Sequence, residues 1–214
     1  WMKKEAADGA VGFKLCARPH LRTPKKQARA ALKKIRDSRK KPSPREIQGL
    51  QSFLTEEVLQ TATRLDLPVA VHAGMWGDFR FLDANHWIPI FQRFPETRFE
   101  LYHLSMPNIR DAIVIGKNFP NVWLNLCWCH IISQRWSLAA IDEILDLVPI
   151  NKVFAFGGDY GRPYMKVYGH LQMAIENVAA VFGRRVDNGN FDEEEALRIA
   201  RLWFHDNPKA FYRL

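Results

Sequence analysis

No apolar run in these 214 residues reaches the ~18 consecutive positions that a membrane-spanning helix needs, so a membrane role is not expected. Cysteine is scarce. Cys16, Cys127 and Cys129 leave an odd thiol, which argues against a disulfide framework and for a reducing compartment, with the cytoplasm as the expected setting. The opening Trp1-Met-Lys-Lys-Glu-Ala-Ala-Asp8 lacks the charged-then-apolar layout of a secretory leader. Internal repeats are missing as well, which argues against a solenoid or propeller.

What is present fits one ordinary globular domain over residues 1–214, with 47% apolar and 25% charged residues. A start on Trp1 is expected of a processed or partial chain, unless Met2 is the true start. The net charge of +8 is local: Arg18 to Arg45 holds twelve Lys/Arg against the single acid Asp37. The remaining residues carry 19 basic and 22 acidic groups and are close to neutral. Residues 18–45 therefore read as a basic insertion or lid. Such charge can neutralise phosphates, but interleaved aromatics for base stacking are missing, so nucleic acid is not the expected partner.

Apolar runs and helical stripes alternate along the chain. Strands are expected near 11–16, 68–72, 98–103, 121–127 and 152–156. Helices are expected near 25–36, 44–65, 84–94, 107–118, 138–147 and 165–183, with a last one from about Asp192. Ser43-Pro44-Arg-Glu46 is a helix start, with proline at the first helical position and an acid three residues past the serine. An apolar stripe of Leu50, Phe53, Leu54, Val58, Leu59 and Ala62 follows. Near-continuous apolar strands between amphipathic helices predict an α/β fold with a parallel sheet covered on both faces, here a TIM-barrel-like (β/α)8 architecture.

Three of those runs end on a donor suited to a metal: Pro68-Val-Ala-Val-His72, Arg98-Phe-Glu-Leu-Tyr-His103 and Lys152-Val-Phe-Ala-Phe-Gly-Gly-Asp159. A β/α barrel builds its active site at the C-terminal ends of its strands, where ligands from separate strands converge. Two imidazoles and a carboxylate with one open position are what a hydrolytic metal requires.

From about Leu65 onward the chain resembles the amidohydrolase superfamily, in particular the amidohydrolase-related group of metal-dependent hydrolases and decarboxylases. The resemblance rests on Val71-His72-Ala-Gly74, Tyr102-His103-Leu-Ser105, Phe156-Gly-Gly-Asp159 and the closing Asp206-Asn-Pro-Lys-Ala-Phe-Tyr-Arg-Leu214. Gly12-Phe-Lys-Leu15 looks like the fourth barrel strand of that group.

The resemblance implies that His72 is a metal ligand, and that His103 is a second ligand or polarises the substrate. It implies that Asp159 binds the metal and takes the proton of the attacking water. His103 and Asp159 would then be the catalytic residues. It also implies one divalent metal, zinc on ligand type, with manganese, iron or cobalt as alternatives. The remaining ligands of that family form a His-x-His pair on the first strand. No such pair occurs in this sequence, and with five expected strands where a closed barrel needs eight, roughly the first three βα units are expected to be missing.

The expected activity is metal-dependent hydrolysis of a small carbonyl-type substrate. Alternatives are a lyase (decarboxylase) or sugar-acid isomerase on the same fold, or a non-catalytic half-barrel that pairs with another chain, possible as a homo-oligomer. Candidate substrate contacts are Arg162 for a carboxylate, His130 at the rim end of its strand, and Trp76 as a pocket wall. Lys14 is read as a rim or ion-pairing residue, with a carboxylated, metal-bridging form as the alternative. In Cys127-Trp-Cys129-His130, strand alternation is expected to put both thiols on one side, as core residues.

Overall fold

The computed structural model describes residues 1–37, 41–161 and 165–214, excluding the Met165 side chain. Among the described residues, five strands form one sheet in sequence order: β1 (Phe13–Cys16), β2 (Val69–His72), β3 (Phe99–Tyr102), β4 (Val122–Asn125) and β5 (Val153–Phe154). Every neighbouring pair is parallel. The central strands are buried on both faces, as β2 and β3 show, which is why their sequences read as apolar runs and not as alternations.

Helix α1 (Met2–Ala7) precedes the sheet; α2 (Lys25–Arg36), α3 (Pro44–Arg64), α4 (Ile88–Arg93), α5 (Ile109–Asn118), α6 (Cys129–Ile132) and α7 (Gln134–Leu147) fill the crossovers; α8 (Met165–Asp187), α9 (Glu193–Arg201) and α10 (Asn207–Tyr212) follow β5. The Ser43 hydroxyl and the Glu46 carboxylate close a capping box at the start of α3. Asp192 caps α9 by accepting from Glu195 N at 2.8 Å. Large side chains from both layers, among them Trp87, Phe91, Phe99, Leu104, Ile141 and Trp203, form the core; full burial of such a side chain contributes roughly 1.5–3 kcal/mol.

The basic segment contributes α2, which packs on α3 through Ala28, Ala31, Leu50 and Phe53, pairs Lys34 with Glu46 and keeps its other cations exposed. Leu54 departs from the expected stripe and faces outward, since α3 needs only one face for both contacts. Arg39 and Lys40 of that segment lie outside the described residues.

The register sets the position of the site. Cys16, His72, Tyr102, Asn125 and Phe154 lie in one row across the sheet, so the loops after them open along one edge. Two strands are shorter than their apolar runs. β4 stops at Asn125, Trp128 takes a left-handed φ of 62°, and Cys129 opens α6. Strand alternation therefore does not place Cys127 and Cys129, contrary to expectation, although both thiols are buried.

Candidate metal centre at the strand ends

His72 is the last residue of β2, and its loop turns at once through Gly74, φ 84°. A side chain there would meet Met106 O at 2.3 Å and Ser105 C at 2.5 Å, so only glycine lets this loop lie against the turn after β3. That turn is itself unusual. His103, Leu104 and Ser105 all have positive φ, between 45° and 62°. The reversal swings the His103 ring back over the strand end, where it is fully buried.

Both imidazoles are fixed by backbone carbonyls. His72 Nε2 lies 2.9 Å from Met75 O, and His103 Nδ1 lies 2.8 Å from Cys127 O. A carbonyl only accepts, so each of those nitrogens carries the proton and donates it. The remaining nitrogens, His72 Nδ1 and His103 Nε2, face each other at 3.1 Å. Burial holds both imidazoles below their ordinary pKa, His103 at about 4, so two lone pairs converge with no proton between them at neutral pH.

Asp159 completes the cluster from the loop after β5, with Oδ2 3.7 Å from His103 Nε2. Gly157 makes this approach feasible, because a Cβ there would stand 2.8 Å from Cys127 Cβ and 2.9 Å from Asn125 Oδ1. Lys14 Nζ donates to Asp159 Oδ1 at 2.8 Å and sits 4.7 Å from the centre of the Tyr102 ring. The donor atoms of His103, Cys127 and Asp159 lie within 4.8 Å of one another. Neutral imidazoles with anchored tautomers beside a carboxylate form the donor set of a divalent transition metal, and they fit one here.

Under the cluster lies a buried polar layer. Glu100 is sealed in the strand interior and accepts from Asn125 Nδ2 and from the Tyr212 hydroxyl. Burial outweighs those bonds and the nearby Lys14 charge, and pushes the Glu100 carboxyl up to about 7.

Of the remaining residues singled out from sequence, Trp76 is exposed at the rim and stands edge-on to Trp128 at 5.7 Å. Trp128 in turn packs on Tyr160 at 5.0 Å, so an aromatic wall runs along the rim beside Asp159. His130 is fully buried with both ring nitrogens engaged: Nε2 donates to Ala155 O at 2.8 Å and Nδ1 accepts from Asn177 at 3.1 Å. Arg162 lies outside the described residues. Sequence reasoning assigned Cys127 to the core and passed over Glu100 and Tyr212 at this site. An acid inside an apolar strand was the visible signal for Glu100.

A cavity of about 890 Å³ opens beside Trp76, lined also by Arg18, Arg45, Asp78 and Phe81. A second cavity of similar volume, between α8 and α9, is lined by apolar residues such as Ile175, Phe182 and Leu197 and holds none of the cluster's donors.

Residues 1–214 match the family model described as amidohydrolase. The chain belongs to the amidohydrolase family. It is 26% identical over 156 residues to Protein fluG of Emericella nidulans, a match that covers 70% of this chain and 18% of that protein. A structure described as a candidate metal-dependent hydrolase from Lactobacillus casei superposes with a TM-score of 0.81 at 19% identity, over 99% of this chain and 57% of that one. A uronate isomerase from Thermotoga maritima gives 0.77 at 18% identity, over 94% and 48%. A glucuronate isomerase from Caulobacter crescentus gives 0.76 at 15%, over 99% and 49%.

These TM-scores establish the fold: the five-stranded parallel sheet and its helices superpose on part of these amidohydrolase-fold structures, and the chain spans about half their length. None of its described helices is long and apolar enough to cross a membrane.

Proposed function

We propose that this chain carries a metal-dependent hydrolase site of the amidohydrolase type, acting on a small carbonyl-type substrate. The observation that supports it is the convergence of two neutral imidazole lone pairs, 3.1 Å apart, beside the Asp159 carboxylate. His72, His103 and Asp159 would hold one divalent ion, zinc by ligand type, with manganese, iron and cobalt also suited. Such an ion supplies Lewis acidity toward a carbonyl oxygen and makes bound water more acidic.

The chain's own groups do the rest. Asp159, partly open to solvent, accepts the proton of the attacking water, and Lys14 at its other oxygen holds the carboxylate in place. His103 gives its only proton to Cys127 O and offers the site just the Nε2 lone pair, so it serves as a ligand and not as an oxyanion donor. Trp76, Trp128 and Tyr160 form the apolar side of the substrate's approach. Arg18 and Arg45 line the cavity next to Trp76 and suit a carboxylate on the substrate. The described ends of the 18–45 segment, through Arg18, Pro19, Leu21, Pro44 and Arg45, are assigned as the cover of that cavity within a single domain.

The test is turnover by metal-stripped and zinc-loaded chain on a panel of lactones, amides, esters, aromatic carboxylates and uronates, with products identified. Zinc-dependent hydrolysis that Asp159→Asn abolishes supports the reading. Release of carbon dioxide or aldose–ketose conversion replaces it with a lyase or an isomerase. Turnover unchanged in Asp159→Asn overturns the assignment of that residue.

A further inference from the structure

We propose that the thiolate of Cys127 is a ligand of this metal centre. The inference rests on the metal-site reading above and adds a soft donor to its hard and borderline ones.

The two buried cysteines differ in their surroundings. Cys129 belongs to the apolar core cluster, packed in the first turn of α6. Cys127 is fully buried but stands outside that cluster. Its Sγ lies within 4.8 Å of donor atoms on both His103 and Asp159. The backbone around it is held from several directions. Cys127 N donates to Asn125 Oδ1 at 2.8 Å, and Cys127 O accepts from His103 Nδ1 at 2.8 Å. The absent side chain of Gly157 lets the Asp159 loop close onto Cys127 Cβ. One residue therefore orients the His103 ring through its carbonyl and presents a sulfur to the space that ring faces.

Bond lengths of ~2.0–2.3 Å put tetrahedral donors roughly 3.3–3.8 Å apart, so the cluster needs to contract by about one ångström. On binding, the S–H bond breaks, sulfur gives an electron pair to the ion, and the proton leaves to solvent. Sulfur favours zinc and cobalt over manganese.

Cobalt(II) loading of the full chain tests this without any assay of activity. The expected result is a thiolate-to-cobalt charge-transfer band in the near ultraviolet, present in the wild type, Cys129→Ser and Cys16→Ser, and lost in Cys127→Ser. Zinc affinity in Cys127→Ser is expected to fall on the order of tenfold or more, with manganese affinity little changed. Should Cys127→Ser fail to fold, zinc X-ray absorption on the wild type decides the matter by showing, or not showing, a sulfur neighbour at about 2.3 Å. Cobalt bound with visible bands but no sulfur band overturns the ligand and leaves the metal site standing. A sulfur band that survives Cys127→Ser and disappears in Cys16→Ser also overturns it. If no cobalt is taken up at all, both the ligand and the metal-site reading fall.

Discussion

His72 Nδ1 and His103 Nε2 point at each other across 3.1 Å, and each ring has given its one proton to a backbone carbonyl on its far side. Two neutral imidazoles in that state cannot hydrogen-bond to one another. Burial disfavours the simplest remedy, protonating one of them, since both are held below the ordinary histidine pKa. A divalent cation relieves the repulsion of the facing lone pairs without that penalty. The arrangement costs the fold something, and a bound ion at the proposed site would offset that cost.

A thermal consequence follows. A ligand at a hundredfold excess over its Kd stabilises the native state by about 2.7 kcal/mol, and each kcal/mol shifts Tm by about 2–4 °C at this chain length. Zinc is expected to raise Tm by roughly 5–11 °C over chelator-treated protein. In His72→Ala and His103→Ala that gain should vanish. Equal melting curves with zinc and with chelator would rule out a metal centre.

Gly74 links the two histidines mechanically. Gly74→Ala adds a Cβ to a backbone at φ 84° and drives it into Met106 O and Ser105 C, part of the reversed turn that carries His103. Backbone strain and overpacking together are expected to cost about 2–4 kcal/mol. The turn must shift, so cobalt affinity is expected to drop along with stability. Denaturant melts and a cobalt titration on the same variant report both. A stable Gly74→Ala that binds cobalt normally would show that the turn can move without the site.

Much of this was legible in the chain because two periodicities sufficed. Runs such as Pro68–Val71 have no polar face, so they had to be doubly buried strands, and a donor after each run had to fall on the same edge of a parallel sheet. His72, His103 and Asp159 were singled out that way, and the structure places His103 3.1 Å from His72 and 3.7 Å from Asp159. Other features depend on backbone reversals that no periodicity encodes. The left-handed Trp128 ends the β4 run early and sends Cys129 and His130 into a helix, so His130 is engaged behind the rim with Ala155 O and Asn177. Tyr212 reaches Glu100 across 112 residues of chain, a pairing that local pattern cannot reveal.

Glu100 makes stability depend on pH in a direction unusual for a carboxylate. Its folded pKa of about 7 lies above the ordinary 4.5, so between those values the native state holds a proton that the unfolded chain has lost. Stability from this group is fully present below about pH 4.5 and is lost as pH rises through 7; the whole effect is on the order of 3 kcal/mol. Glu100→Gln keeps the shape and cannot ionise. Its stability should change less between pH 5 and 8 than that of the wild type, in urea melts of the apo chain. A wild type that gains stability over that interval while the variant does not would contradict the assignment.

Lys14 gives a test of how charge is balanced at the centre. Its ammonium occupies Asp159 Oδ1 at 2.8 Å and stands near the point where a dication would sit. Lys14→Met removes a like charge and releases a carboxylate oxygen, both of which favour the ion. The side chain is about two-fifths exposed, so solvent screens much of this effect. Metal affinity is expected to rise, by less than about tenfold. Turnover is expected to fall despite tighter loading, because the carboxylate then loses the bond that orients it. Calorimetry with zinc and a steady-state assay on one preparation separate the two effects. A variant that binds zinc more weakly than the wild type would instead identify Lys14 as a donor to the ion, the role of a carboxylated lysine.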